Sequence, residues 1–210
     1  MNRGRFIALE GIDGSGTTTQ TQLLILWLRS RGIKAVATSE PSGGPVGTLI
    51  RGALTGRVRL PDSAGGAPLT QETIALLFAA DRLDHYRAEI DPALKQGLWV
   101  VSDRYLDSSL AYQGALIEED WVSEINRYAP HPDLTIYLDV EPEMALERIA
   151  ESRTGTELFE RKDTLTQVRS QYQKLYKSST AKVVQFDGSA PLNSIAQEIQ
   201  KSIEYAFNRV

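Results

Sequence analysis

The stretch RFIALEGIDGSGTTTQ, Arg5 to Gln20, decides how the rest of the chain is read. Arg5–Glu10 is an apolar run halted by Gly11, the pattern of a buried parallel strand. Thr17–Arg31 then sets Leu23, Leu24, Trp27 and Leu28 at a helical period, and Gly32 ends it. Gly11, Gly14, Ser15, Gly16, Thr17 and Thr18 fill the turn between the two. Glycines there let successive backbone amides point inward at an anion, and the helix N-terminus adds the positive end of its dipole. Strand, glycine-rich loop and helix in that order are the setting of a phosphate-binding loop. Thr18 stands where the loop's hydroxyl reaches Mg²⁺, and Thr17 stands where the motif carries lysine. Spacing alone also describes an ordinary glycine-rich β–α turn; the flanking elements and the motifs farther along favour nucleotide phosphates.

Working outward, strand and helix patterns alternate. Lys34–Ser39 reads as a second strand and Val46–Leu54 as a short helix. Thr55–Pro68 has no periodicity and reads as a mobile loop. Thr70–Gln96 is the longest helical pattern, with Pro92 as a kink or break. Leu98–Ser102 and Leu134–Val140 are the third and fourth strands. Pro142–Ser152 is a helix, Arg153–Lys162 a polar segment, Thr164–Ser178 a helix, Val183–Asp187 the fifth strand and Leu192–Phe207 a closing helix. This alternation implies a five-stranded parallel sheet flanked by helices, the three-layer α/β fold of P-loop NTPases, as one domain over residues 1–210. Such a sheet lines up its strand C-termini along one edge, where ligands bind. Glu10, Glu40, Asp103 and Asp139 all fall there.

Composition narrows the chemistry. The 210 residues carry a net charge of −4, with 41% apolar and 24% charged side chains. A mild acidic excess gives no general attraction to nucleic acid or to an anionic membrane, so phosphate binding must be local. The absence of cysteine excludes disulfides, thiolate metal sites and cysteine nucleophiles. His85 and His131 make no metal spacing. No apolar run approaches the roughly 20 residues of a membrane helix. Met1–Arg5 is polar and leads straight into a strand, so no leader is expected and the cytoplasm is the expected compartment.

A second group of residues suits an acceptor. Phe78 and Arg82 are four apart and share a helix face. Asp103-Arg104-Tyr105 follows an apolar strand directly; a carboxylate there suits Mg²⁺, and the adjacent arginine suits a bidentate hold on phosphate. Ser108, Ser109, Tyr112 and Gln113 follow at helical spacing, with polar groups suited to a base and sugar.

Four stretches, EGIDGSGTTTQ (10–20), SEPSGGPVG (39–47), LLFAADR (76–82) and DRYLDSSLAYQG (103–114), resemble thymidylate kinase of the bacterial type, which phosphorylates dTMP with ATP. The resemblance covers nearly the whole chain. It implies that Phe78 stacks on thymine, Arg82 hydrogen-bonds the base, Ser109 and Gln113 complete base recognition, and Tyr112 crowds the sugar 2′ position. Arg51 and Arg104 would hold the acceptor phosphate. Asp13 and Glu40 would lie near the transferring phosphate, with Asp103 and Thr18 near Mg²⁺. Residues of about 151–162 would form a lid over ATP. Gly14 occupies the loop position where some family members carry arginine, so a lid cation is implied, Arg153 first, then Arg161 and Lys162. Two family cations are absent: Thr17 stands for a lysine, and Ser39 for an arginine often found before the Glu-Pro pair. A homodimer is implied as well. A kinase for a deoxynucleoside or another nucleoside monophosphate, and a catalytically silent nucleotide-binding protein, are the competing readings.

Overall fold

The computed structural model describes residues 3–61, 66–152, 161–178 and 181–207. Phe6–Gly11 (β1) is buried at every position, as a central parallel strand covered on both faces must be. Its side chains alternate: Ile7 and Leu9 face one side of the sheet, Phe6 and Ala8 the other. After the loop, Thr17–Ser30 (α1) follows, then Ala35–Ser39 (β2) and Pro45–Leu54 (α2), which Pro45 opens in the first turn where its missing amide costs nothing. Gln71–His85 (α3) begins at Thr70, whose hydroxyl accepts from the Thr73 amide at 3.3 Å.

The long helix expected over Thr70–Gln96, with a kink or break at Pro92, runs helically from Gln71 to Lys95 with one irregular turn. Tyr86–Ile90 widens into a π-helical turn before Asp91–Lys95 (α4). Pro92 explains this: it has no amide to donate back along the helix, and its ring crowds the preceding turn. Trp99–Asp103 (β3), Leu106–Tyr112 (α5), Glu119–Asn126 (α6), Leu134–Asp139 (β4), Pro142–Ser152 (α7), Lys162–Ser178 (α8), Val183–Asp187 (β5) and Leu192–Ala206 (α9) complete the chain. Helix α6 has no counterpart in the sequence reading. Within Thr55–Pro68, read as a mobile loop, Leu60 N donates to Ala67 O at 2.7 Å and Ala67 N to Leu60 O at 2.9 Å, an isolated antiparallel bridge.

The sheet runs β2-β3-β1-β4-β5, parallel throughout. One face packs Ile7, Leu9, Val101, Ile136 and Leu138 against Leu24 and Leu28 of α1 and Ile195, Ile199 and Ile203 of α9. The other face carries Tyr137 against Leu165, Val168 and Tyr172 of α8, and Phe6 and Val100 against Ile90, Leu94 and Tyr105. Pairing in register sets Leu9 beside Asp103, and Asp103 beside Ser39. The C-terminal ends of β1, β2 and β3 therefore emerge together, and their loops meet.

Candidate active site

The loop after β1 leads into a helix whose first turn has no side-chain cap. Gly16 caps α1 with φ of 96°, a left-handed conformation, and no side chain caps the helix. Its first-turn amides thus have no side-chain acceptor, the condition for binding an anion at a helix N-terminus. Gly14 also has positive φ, and a Cβ there would meet Ala145 O of α7 at 2.3 Å. Thr17 is buried. Thr18 Oγ1 donates to Asp103 Oδ2 at 2.5 Å. The other Asp103 oxygen, Oδ1, is buried and has no hydrogen-bond partner.

Arg104 leaves β3 with φ of 69°, the sole non-glycine residue in the left-handed region among the described residues. Such a conformation is costly, so its neighbours must hold it. Arg104 N donates to Leu9 O at 2.8 Å, Ser102 Oγ to Arg104 O at 2.6 Å, and Tyr105 N to Glu10 Oε1 at 2.9 Å. The turn swings the guanidinium back over the loop. Nη1 donates to Gly11 O at 2.8 Å and Nη2 pairs with Asp13 Oδ1 at 2.6 Å. Burial works against this charge, but Tyr112, Asp13, Tyr172 and Asp103 outweigh it and hold the guanidinium's pKa well above its ordinary value.

A cavity of about 120 Å³ opens beside Arg104. Asp13, Glu40, Phe78, Arg82, Arg104, Ser109, Tyr112 and Gln113 line it, together with Ser108. The structure therefore brings eight expected site residues to one space. Tyr112 joins this space to the phosphate loop, because its hydroxyl accepts from the Asp13 amide at 2.8 Å.

Arg82 is 1% exposed, so it is no solvated surface residue. Its Nη2 lies 2.8 Å from Glu40 Oε2 and donates to Tyr105 O and Ser109 Oγ, each at 3.0 Å. Nη1 donates to Asn126 Oδ1. Two predicted residues are elsewhere or undescribed. Arg51 does not reach the cavity wall; Nη1 donates to Pro41 O at 2.9 Å and Ser42 O at 2.7 Å. Arg153 lies outside the described residues. Of the alternative cations, Arg161 is exposed and Lys162 pairs with Glu143 at 2.8 Å.

A match to the family model described as thymidylate kinase spans residues 9–199. The chain belongs to the thymidylate kinase family. A probable thymidylate kinase of Pyrococcus horikoshii is 44% identical over 82% of this chain and 83% of its own. One of Pyrobaculum calidifontis is 39% identical over 96% and 97%. A thymidylate kinase of Trichormus variabilis is 34% identical over 94% of each.

Sequence reasoning gave several supports of this thymidylate-kinase-family site no role. His85 is buried, with Nδ1 3.2 Å from Glu40 Oε1 and Nε2 2.6 Å from Thr38 Oγ1. Asp81 accepts from the Ser42 amide at 2.7 Å and hydroxyl at 2.6 Å, fixing the loop after β2. Asp81, Arg82 and His85 share α3 at one- to four-residue spacings, a signal present in the sequence. Glu10 accepts from Ser108 Oγ at 2.5 Å and Tyr172 OH at 3.0 Å as well as from Tyr105 N. Burial, then Asp107, push its pKa up to about 7 against those hydrogen bonds and Arg104. Arg148 of α7 approaches the loop's flank, Nη1 lying 3.5 Å from Gly14 O. Among the described residues no helix is long and apolar enough to cross a membrane, and no cluster of three His, Cys, Asp or Glu stands ready for a metal.

Proposed function

We propose that this protein transfers the γ-phosphoryl group of ATP to dTMP, giving dTDP and ADP on the route to dTTP. The observation that carries the proposal is the shared wall: Asp13 belongs to the phosphate loop and lines the cavity, and its amide is held by Tyr112. Donor and acceptor anions would meet there without a covalent enzyme intermediate. Gly11–Thr18 would cradle the ATP phosphates. Phe78 would stack on the base, while Ser109, Gln113 and the Arg82 system would read its edge. Arg82 is already engaged by Glu40, so its contact with the base is one further bond from a fixed group. Tyr112 would close off the sugar 2′ position. Arg104 would hold the acceptor phosphate, with Asp13 and Glu40 close to the group in flight.

Mg²⁺ fits the residues present. The unpartnered buried oxygen of Asp103, with Thr18 beside it, is a hard oxygen pair of the kind this ion takes alongside phosphate oxygens. Bound there it would offset the charge shared by the β- and γ-phosphates. The protein's own work is orientation, charge stabilisation and exclusion of water. A lid over 151–162, with Arg153 and then Arg161 or Lys162 reaching in, would complete that exclusion. The working form we propose is a cytoplasmic homodimer that uses small-molecule nucleotides, with neither nucleic acid nor membrane as partner. Exposed Leu49 on α2 and Leu76 on α3 are apolar groups a second copy would cover.

The test is an acceptor panel with ATP and Mg²⁺, reading ADP release. Rapid turnover of dTMP supports the proposal. Turnover of thymidine but not dTMP would transfer the assignment to a nucleoside kinase. Tight binding of ATP and dTMP without ADP release would make the chain a silent nucleotide binder, the outcome that Thr17 in the lysine position keeps in view.

A further inference from the structure

Glu40 lines the acceptor cavity, and its carboxylate must be aimed to act there. The backbone is anchored, because Glu40 N donates to Asp103 O of β3 at 3.1 Å. The carboxylate is not aimed by that anchor: the last torsion of a glutamate is broad, so partners set its plane. Arg82 Nη2 lies 2.8 Å from Oε2, but the two meet as charges without hydrogen-bond alignment, and Oε2 is a buried atom with no hydrogen-bond partner. The directed contact falls on the other oxygen, where His85 Nδ1 lies 3.2 Å from Oε1.

We propose that His85 is a positioning residue for acceptor recognition: its Nδ1–H turns the Glu40 carboxylate toward Arg82, and so steadies the guanidinium that donates to Ser109 in the cavity wall. This role deepens the phosphoryl-transfer reading above and rests on it. Counting protons supports it. An ionised carboxylate only accepts, so the hydrogen of this contact must sit on Nδ1. On the far side of the ring, Nε2 is 2.6 Å from Thr38 Oγ1 of β2, and that hydroxyl is also 3.2 Å from Glu89 Oε2. Thr38 has one proton to donate. Directed at Nε2, it leaves the ring neutral. Directed at Glu89, it lets Nε2–H donate to Thr38, and the ring is then a cation between Glu40 and Glu89, the latter 3.7 Å from Nε2. In both arrangements Nδ1–H stays on Glu40. The hydroxyl absorbs a change of charge on the ring, and the contact that faces the site is preserved. Packing alone does not call for this. The His85 side chain is fully buried, and a buried imidazole is costly unless both nitrogens find partners, where an apolar side chain would need none.

The test is initial-rate kinetics with ATP, Mg²⁺ and dTMP on the wild type, His85→Asn and His85→Gln. The amide nitrogen of asparagine falls near the place of Nδ1, and that of glutamine near the place of Nε2. His85→Gln should raise the dTMP KM about tenfold, the low end for a hydrogen bond to a charged group. It should leave the ATP KM within about twofold. His85→Asn should recover most of the rise. An unchanged dTMP KM in His85→Gln, equal dTMP KM values in the two variants, or parallel rises for both substrates would each overturn the role. The wild type gives a second measurement that does not depend on how the variants fold. The chain has two histidines, so ring ¹⁵N signals assigned with His131→Gln show which nitrogen carries hydrogen. A hydrogen on His85 Nδ1 is the expected result; a bare Nδ1 would overturn the role, and decides alone if the His85 variants do not fold. A wild type inert toward dTMP would remove the reaction and this role together, whereas an active wild type without the split between substrates would remove this role alone.

Discussion

At the scale of single residues, the site depends on charges taken out of water. Glu40 and Arg82 are both nearly inaccessible and lie 2.8 Å apart. Replacing Arg82 by methionine leaves the Glu40 carboxylate buried beside His85 alone, so folding stability should fall by about 3–5 kcal/mol. Urea unfolding would measure this; a loss below about 1 kcal/mol would mean that the Arg82–Glu40 pair does not hold this part of the fold. Glu10 makes a second prediction, through pH. Its carboxyl has an ordinary value of 4.5 and is pushed up to about 7 in the fold, by burial first and Asp107 second. The native state therefore takes up a proton between those values that the unfolded chain does not. The stability this contributes is complete below 4.5 and is lost as the pH climbs through about 7. Unfolding curves of the wild type minus those of Glu10→Gln should thus slope downward across that window; a flat difference would remove the effect. Much at this scale was legible beforehand. The spacing of Phe78 and Arg82 and the run from Arg104 to Gln113 pointed to residues of which Phe78, Arg82, Arg104, Ser108, Ser109, Tyr112 and Gln113 line the cavity. The burial of Arg82 was not legible, because its partners Glu40 and Asn126 are 42 and 44 positions away and only the fold brings them in.

At the scale of elements, the phosphate loop is gripped by α7. The Ala145 carbonyl occupies the space that a side chain at position 14 would need. Gly14→Ala must therefore either part the loop from α7 or distort its left-handed backbone. We expect a stability loss of about 1–3 kcal/mol. We also expect a donor KM that rises far more than the acceptor KM, as initial-rate kinetics would read. Equal increases in both constants would show that the loop and the acceptor cavity move as one body. The elements themselves were largely readable, since long apolar periods and proline or glycine stops mark each strand and most helices. Val183–Asp187 and Pro142–Ser152 match the sequence reading residue for residue. Helix α6 escaped because it has eight residues and buries Val122 and Asn126, too few for a period to register. The π-turn before Pro92 escaped because periodicity reports which face is apolar and not how many residues close each turn.

At the scale of the whole molecule, stability and site geometry are carried by different parts of the sheet. Ile136 is fully buried between the strands and the α1–α9 layer. Ile136→Ala should cost about 2–5 kcal/mol in unfolding experiments, the usual range for a core truncation. It should leave both KM values within about twofold, a change under 0.5 kcal/mol, because the strand-end groups are set by backbone register. A selective rise in one constant would show that the core feeds strain into the site. The hydroxyl of Tyr112, which holds the Asp13 amide, has a practical consequence for inhibitor chemistry. A compound that pushes this ring aside would loosen the grip on ATP from a distance, and would be felt as mixed inhibition. One that leaves the ring in place would compete with the acceptor alone. Resistance mutations at position 112 would then carry a built-in penalty, since any residue without a phenol oxygen abandons the neighbouring loop.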